Sequence, residues 1–227
     1  MAVNIFRSVG IIIHMPCVKL IIFDLDGTVN DSSPGIIYCF RKTGESYGKV
    51  DLSDEWLRNG LSGPFEVNIL KLLDLRPDQV DEAIQEYVKY YVESGQKMAR
   101  LFEGIRDTLG YLKSRGYLLG VATMMVDEYA RSTLDSYGIT ELFDTIHGTS
   151  FDFAYHKEDL IRACLADTGV SPEEAVMIGD GSDDYRAARA ADVEFIGALY
   201  GYEIDTGFCT QNGIRGISDI TELKTLF

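Results

Sequence analysis

Apolar residues follow two rhythms along this chain, and the rhythm switches twice. Val18–Phe23 is a short, β-branched run that is apolar on both parities, the pattern of a strand buried on both faces. From about residue 30 to 102 the spacing is helical throughout. Ser33 followed by Pro34 predicts a capped helix start with proline at the first helical position, and that helix fades over Gly44–Gly48. Ser53 with Asp54 and Glu55 starts a short helix that ends near Gly60, and Gly63 with Pro64 begins another. Pro77 and Asp78 open a long helix carrying Ile84, Tyr87, Val88, Tyr91 and Val92 on one face.

After Gly104 strands and helices alternate. A helix through Ile105, Leu109 and Leu112 stops at Gly116 and gives way to a strand, Tyr117–Ala122. A helix over Glu128–Tyr137 closes at Gly138, followed by a short strand, Phe143–His147, and a helix, Lys157–Thr168. Ser171, Pro172, Glu173 and Glu174 give a single turn before the strand Ala175–Ile178. A helix through Tyr185 and Ala188, the strand Glu194–Gly197 and a last helix capped by Ser218 complete the pattern. Such alternation predicts an α/β fold, a doubly wound parallel sheet with helices on both faces. The expected division is a core over residues 15–29 and 103–227, interrupted after its first strand by an all-helical insert at 30–102.

Composition narrows the partners. The 227 residues carry 36 acidic and 21 basic side chains, a formal charge of −15, and 46% are apolar. The apolar fraction excludes a disordered chain, and the charge makes nucleic acid and anionic membrane surfaces poor partners. Cys17, Cys39, Cys164 and Cys209 form no CxxC pair, which argues against a zinc site or a disulfide framework and for reduced thiols in the cytoplasm. No apolar run reaches the roughly 18 residues of a membrane span. The N-terminus makes a poor signal peptide, and Met15 reads as a natural start with residues 1–14 an N-terminal extension.

Ligands of open α/β sheets bind beyond the carboxyl ends of the strands. Asp24 and Asp26 follow the first strand, Thr123 follows the second, and Asp180, Asp183 and Asp184 follow a later one, while Lys157 opens a helix. Each alone has a plainer reading: Asp26 with Gly27 as a turn, Thr123 as a helix cap, Asp183 and Asp184 as favourable charges at a helix start, Lys157 as a solvated side chain. Together they read differently. Two carboxylates at about 4 Å repel by roughly 4 kcal/mol at an effective dielectric near 20, so Asp24, Asp26, Asp180 and Asp184 gathered at one edge call for a hard divalent cation, Mg2+ rather than calcium. The same residue types suit hydrolysis of a phosphate monoester, with a carboxylate attacking phosphorus, a second carboxyl exchanging protons, and Lys, Thr and metal countering charge on the equatorial oxygens.

In this arrangement the chain resembles the haloacid dehalogenase superfamily of phosphotransferases. The motifs are Asp24-Leu25-Asp26-Gly27-Thr28, then Thr123, then Lys157, then Gly179-Asp180-Gly181-Ser182-Asp183-Asp184, in that order between Val18 and about Tyr202. The helical insert, with Asn30–Ile36, resembles the cap of the phosphoglycolate phosphatase-like branch. The resemblance implies Asp24 as nucleophile and Asp26 as general acid/base. It implies Mg2+ held by Asp24, the Asp26 main-chain carbonyl and Asp180, with Asp184 supporting and Asp183 a substitute. Thr123, the Met124 amide, Lys157 and Gly27 would hold the phosphoryl group of a small phosphorylated metabolite, with phosphoglycolate or a nucleoside monophosphate as examples. Met124 and Met125 stand where many relatives have Ser or Asn and then Lys, and Glu158 and Asp159 follow Lys157, so the substrate does not follow from similarity.

Arg58, Asn59, Ser62 and Lys71 lie near turns of the insert, where a polar leaving group would meet them; ordinary solvated surface is the competing reading. Tyr87 and Tyr91 read as insert core, and His147 and His156 as incidental. Two other functions fit parts of the pattern. A phosphomutase of the β-phosphoglucomutase type would return the phosphoryl group to sugar instead of water. A receiver-like signalling module shares the accepting Asp, acidic pair, Thr and Lys, but there the acidic pair precedes the accepting Asp and no helical insert follows the first strand.

Overall fold

A strand apolar on both parities needs cover on both sides, and the fold supplies it. The computed structural model describes residues 17–151 and 154–227; the extension expected over residues 1–14 lies outside the described residues. The first strand, β1 (Leu20–Phe23), is completely buried. Beyond it the chain passes through β2 (Asn30–Asp31) into α1 (Ser33–Ser46), α2 (Asp54–Leu57), α3 (Phe65–Leu72) and α4 (Val80–Glu93), and returns through β3 (Arg100–Leu101). There follow α5 (Ile105–Ser114), β4 (Leu118–Val126), α6 (Asp127–Tyr137), β5 (Thr145–Thr149), α7 (Lys157–Thr168), β6 (Ala175–Gly179), α8 (Ser182–Ala190), β7 (Glu194–Ala198), α9 (Thr206–Asn212), β8 (Arg215–Ile217) and α10 (Leu223–Leu226). No helix of the described residues is long and apolar enough to cross a membrane.

The main sheet runs β5-β4-β1-β6-β7-β8, and every pairing is parallel. The chain builds outward from β1 through β4 to β5, then crosses back to lay β6 on the other side of β1. The winding therefore reverses between β1 and β6, where doubly wound sheets open a crevice for ligands. Alternate residues of β1 serve the two faces. Ile21 and Phe23 join Ile105, Leu109 and Leu112 of α5 and Ala130 and Leu134 of α6. Leu20 and Ile22 join Leu160, Ile161 and Cys164 of α7 and Ala187 and Ala188 of α8. Each such side chain is worth about 1.5–3 kcal/mol relative to exposure, so β1 fixes firmly the place of whatever follows it.

The inserted helices have a core of their own, in which Phe40 of α1 and Phe65 of α3 pack edge-on against Tyr87 of α4 at 5.0 and 4.7 Å between ring centroids. Burial on α4 follows Ala83 and Tyr87, with Ile84 and Tyr91 partly covered. Val88 and Val92, expected on that face, stand exposed at 46% and 45%. They lie one residue beyond the 83–87–91 row, past the edge of the stripe that α1 covers. The insert is also not wholly helical, because β2 and β3 pair antiparallel where the chain leaves and re-enters the core.

Other boundaries shift for physical reasons. Helix α1 is capped at Ser32 rather than Ser33, without a bond from its own side chain; the Ser32 and Ser33 N–H groups instead donate to the Tyr202 hydroxyl at 2.8 and 3.1 Å. Strand β4 runs past Thr123 to Val126, with an irregular register against β5 over that stretch. Asp219, not Ser218, caps the C-terminal turns, its Oδ1 accepting from the Thr221 N–H at 2.8 Å. Helix α9 and strand β8 carry little apolar pattern and have no counterpart in the sequence reading.

Candidate active site

At the end of β1 the Asp24 N–H donates to the Ile178 carbonyl at 2.9 Å, so this residue is held to β6 by the sheet ladder itself. The next residues fold tightly around one acceptor: the N–H groups of Thr28, Val29 and Asn30 all donate to the Leu25 carbonyl. Gly27 takes a positive φ of 85°, and a Cβ there would lie 2.2 Å from Asp180 Oδ2. Only glycine meets both demands. Gly201, on the loop after β7, presses the same carboxylate from the other side, where a Cβ would lie 2.2 Å from Asp180 Cβ.

Asp180 follows β6, and its side chain is fixed at both oxygens. Oδ1 accepts from Thr28 Oγ1 at 3.0 Å and Oδ2 from the Tyr202 N–H at 2.8 Å. Asp184, on the first turn of α8, accepts from the Gly181 N–H at 3.0 Å through Oδ2, which turns its other oxygen toward Lys157. Lys157 heads α7, is 9% exposed, and donates to Asp24 and, at 2.8 Å, to Asp184. One carboxylate oxygen from each of Asp24, Asp180 and Asp184 falls within 4.8 Å of the others, and all three residues are buried. Asp183 is excluded from this group: helix phase turns it outward, 73% exposed and paired with Arg186.

The remaining sequence candidates stand around or apart from this cluster. The Asp26 carboxyl lies outside it and accepts from Asn30 Nδ2 at 2.7 Å. Thr123 is buried two residues past Val121, the partner of Phe23, and so reaches the same sheet edge; its Oγ1 accepts from the Met125 N–H at 3.1 Å. Met124 is 40% exposed beside it. Arg58, Asn59 and Lys71 are exposed, and Asn59 bonds the Glu55 and Trp56 carbonyls of its own turn. The Ser62 carbonyl accepts from Asn68. His147 pairs with Asp167, and the His156 N–H donates to Asp159. A cavity of about 480 Å³ lies beside β5, lined in part by Asp127, Arg131, His147 and Tyr155. None of Asp24, Asp180 and Asp184 lines it; Arg131 pairs there with Asp127, and His147 with Asp167 just outside the lining.

Charge is not balanced within the cluster. Burial first, and then the charges of Asp184 and Asp180, raise the Asp24 carboxyl well above the ordinary range against the pull of Lys157. Burial and the Asp184 charge push Asp180 up to about 7. Burial alone would depress Lys157, but Asp184 and Asp24 outweigh it and hold the ammonium above its usual value. One lysine thus leaves Asp24 and Asp180 reluctant to ionise together. An all-oxygen donor set, pinned by Thr28, Tyr202 and Gly181 and cradled by two glycines, fits a hard divalent cation.

Thr28, Asn30, Gly201 and Tyr202 are site residues that sequence reasoning did not single out. Thr28 lay within the quoted Asp24–Thr28 motif. Gly201 and Tyr202 had only a weak signal, a glycine between two tyrosines just after a strand.

Comparison with known proteins agrees with the geometry. The model of the haloacid dehalogenase-like hydrolase family matches residues 21–198. A tyrosine-protein kinase PtkA from Mycobacterium tuberculosis is 35% identical over 185 residues, 81% of this chain but 63% of that protein, so this chain spans under two thirds of its length. A phosphoglycolate phosphatase from Nitrosococcus oceani is 28% identical over 217 residues, covering 92% of this chain and 96% of its own. Among solved structures, a haloacid dehalogenase-like family hydrolase from Streptococcus pneumoniae superposes with a TM-score of 0.85 at 30% identity, covering 93% of this chain and 99% of its own.

Proposed function

This chain belongs to the haloacid dehalogenase-like hydrolase family, and from that premise we propose that it is a Mg2+-dependent phosphatase acting on a small phosphomonoester through an aspartyl-phosphate. The observation that carries the reading is the buried meeting of Asp24, Asp180, Asp184 and Lys157 at the switch point between β1 and β6. Asp24, the Asp26 main-chain carbonyl and Asp180 would hold the ion, with Asp184 supporting it. When bound, Mg2+ supplies positive charge to the phosphoryl oxygens and to the nucleophilic carboxylate. The phosphatase-named relatives support a small phosphorylated metabolite as substrate, with the cytoplasm as the proposed location.

The chemistry then rests on the chain's own groups. An Asp24 oxygen attacks phosphorus and forms the aspartyl-phosphate as the bond from phosphorus to the ester oxygen breaks. The Asp26 carboxyl gives its proton to that departing oxygen, so the leaving group departs as an alcohol and Asp26 becomes a carboxylate. Water then attacks the aspartyl-phosphate and yields its proton to Asp26, releasing phosphate and restoring both residues. Lys157, Thr123 and the Met124 amide steady the phosphoryl oxygens; the Gly27 N–H, expected among them, donates instead to the Asn30 carbonyl at 2.8 Å. The inserted helices act as a cap that selects the substrate and keeps bulk water out.

A screen of phosphorylated metabolites with Mg2+ tests this directly. Phosphate release from at least one, stopped by a chelator, is expected; no release from any would contradict the reading. Bisphosphate-dependent isomerisation of a sugar phosphate would instead show the phosphomutase. The likeness to PtkA adds a protein tyrosine to the acceptors worth assaying.

Metal linkage has a signed consequence. An acid whose pKa is raised by folding, as Asp180 is, binds its proton more tightly in the folded state. Stability is therefore lost as pH climbs from the unfolded value near 4 toward about 7. A cation bound to the ionised carboxylates reverses that loss. At a hundred times its dissociation constant Mg2+ adds about 2.7 kcal/mol, or about 5–10 °C in Tm for a chain this size. The gain should be larger at pH 8 than at pH 5 in thermal melts of chelator-treated protein; equal gains would contradict the assignment of the ion to these acids.

A further inference from the structure

Asp26 sits on the tight turn beyond β1, yet its carboxyl is aimed by residues from elsewhere. Its Oδ1 accepts from Asn30 Nδ2 at 2.7 Å, and Ser32 at the head of α1 also reaches the carboxyl. Asn30 is completely buried. Its main chain is pinned on the far side of the turn, with its N–H donating to the Leu25 carbonyl at 2.9 Å and its carbonyl accepting from the Gly27 N–H at 2.8 Å. Only its side-chain amide is left to settle, and the amide has two faces of opposite character, an acceptor oxygen and a donor nitrogen.

The tyrosine 107 residues further along settles it. The Tyr137 hydroxyl donates to Asn30 Oδ1 at 2.5 Å. With the oxygen engaged by the Tyr137 O–H, the nitrogen faces Asp26 and donates to it; the flipped amide would set its oxygen against Asp26 whenever that carboxyl is ionised. Tyr137 is itself held, as the last residue of α6 before Gly138 at φ 59°. Arg106 of α5 clamps that helix end, donating to the Tyr137 carbonyl and, at 2.8 Å, to the Gly138 carbonyl. A hydrogen-bonded path thus runs from the α5–α6 layer of the core to one oxygen of Asp26.

We infer that Asn30 and Tyr137 form a relay that aims the Asp26 carboxyl at the leaving oxygen, which makes them positioning residues for proton transfer. Neither touches the reacting atoms. The inference rests on the reading of Asp26 as proton donor and adds what holds that donor in line. Positioning matters here because a proton must travel within hydrogen-bond reach as the ester bond breaks. A carboxyl free to rotate spends most of its time aimed elsewhere.

The test uses the full chain with Mg2+ and two substrates, p-nitrophenyl phosphate, whose leaving group departs without a proton, and a primary alkyl phosphate, whose leaving group needs one. Asp26→Asn, Asn30→Leu and Tyr137→Phe are compared with the unaltered protein. A general acid contributes roughly 10²–10⁴-fold, so kcat/KM, which ends at the aspartyl-phosphate and excludes the later attack of water that Asp26 also serves, should fall most on the alkyl ester relative to the aryl ester in Asp26→Asn. The same ratio should fall about a hundredfold in Asn30→Leu and about tenfold in Tyr137→Phe, each within that share. Equal losses on both esters, or none, in the Asn30 and Tyr137 variants would overturn the relay while Asp26→Asn still discriminates. If Asp26→Asn does not discriminate, the proton-donor reading falls and takes the relay with it. Should Asn30→Leu not fold, Tyr137→Phe decides alone, since it removes one oxygen from a half-buried ring.

Discussion

Asp24→Asn is expected to release phosphate from an aryl phosphate at least about 10⁴-fold more slowly than the unaltered protein, the scale of losing a covalent nucleophile. The substitution is close to isosteric, and the position is held by backbone rather than by the carboxylate: Asp24 N–H bonds Ile178, and β1 beneath it is completely buried. The fold should therefore survive. Lys157 keeps its 2.8 Å partner Asp184, so its charge is not left alone. What the amide cannot do is attack phosphorus, and neither of the other two clustered carboxylates is free to replace it. Asp180 is tied at both oxygens by Thr28 and Tyr202, and Asp184 is tied by Gly181 and Lys157. Steady-state phosphate release with Mg2+, beside a melting curve, measures both halves. Undiminished turnover would remove Asp24 from the nucleophile's role.

Lys157→Met should damage stability and catalysis together. Lys157 is the cation bonded to the buried carboxylates, and deleting one partner of a buried pair costs about 3–5 kcal/mol because the other charge stays buried. At this chain length that is about 6–20 °C in Tm for the metal-free protein. The deficit should shrink at pH 5, because the Asp24 carboxyl that loses its partner is already held well above the ordinary range by burial and gains its proton more readily as pH falls. Mg2+ should restore much of the lost Tm and little of the activity, since the ammonium that steadies the phosphoryl oxygens is gone. Thermal melts with and without Mg2+ at two pH values, set beside kcat/KM, make the check. A metal-free melt unchanged by the substitution would contradict the charge account.

The motifs were legible because each is local and each follows a strand. Once the alternation after Gly104 indicated a doubly wound sheet, the carboxyl ends of its strands, and Asp24 and Asp180 with them, were expected at one edge, and the pairing of β1 with β6 sets the two side by side. The family resemblance favoured Asp184 over Asp183, and helix phase turns Asp184 toward Lys157 and Asp183 outward. Contacts chosen by tertiary packing were not legible. Nothing in the sequence around Tyr202 tells that its hydroxyl caps α1, some 170 residues earlier, while its N–H steadies Asp180. Nothing near Tyr137 points to Asn30. Periodicity likewise could not say where the covered face of α4 ends, which is why Val88 and Val92 were assigned to the wrong side. The pair β2 and β3, two residues each, is too short for any pattern to announce.

The most direct test of the account is to trap the intermediate. Protein turning over a phosphate ester with Mg2+, quenched and treated with borohydride, should yield a peptide in which residue 24 has become homoserine, the reduction product of an acyl phosphate, and untreated or substrate-free protein should not. Homoserine at another aspartate, or none while phosphate is being released, would contradict a covalent bond between Asp24 and phosphorus.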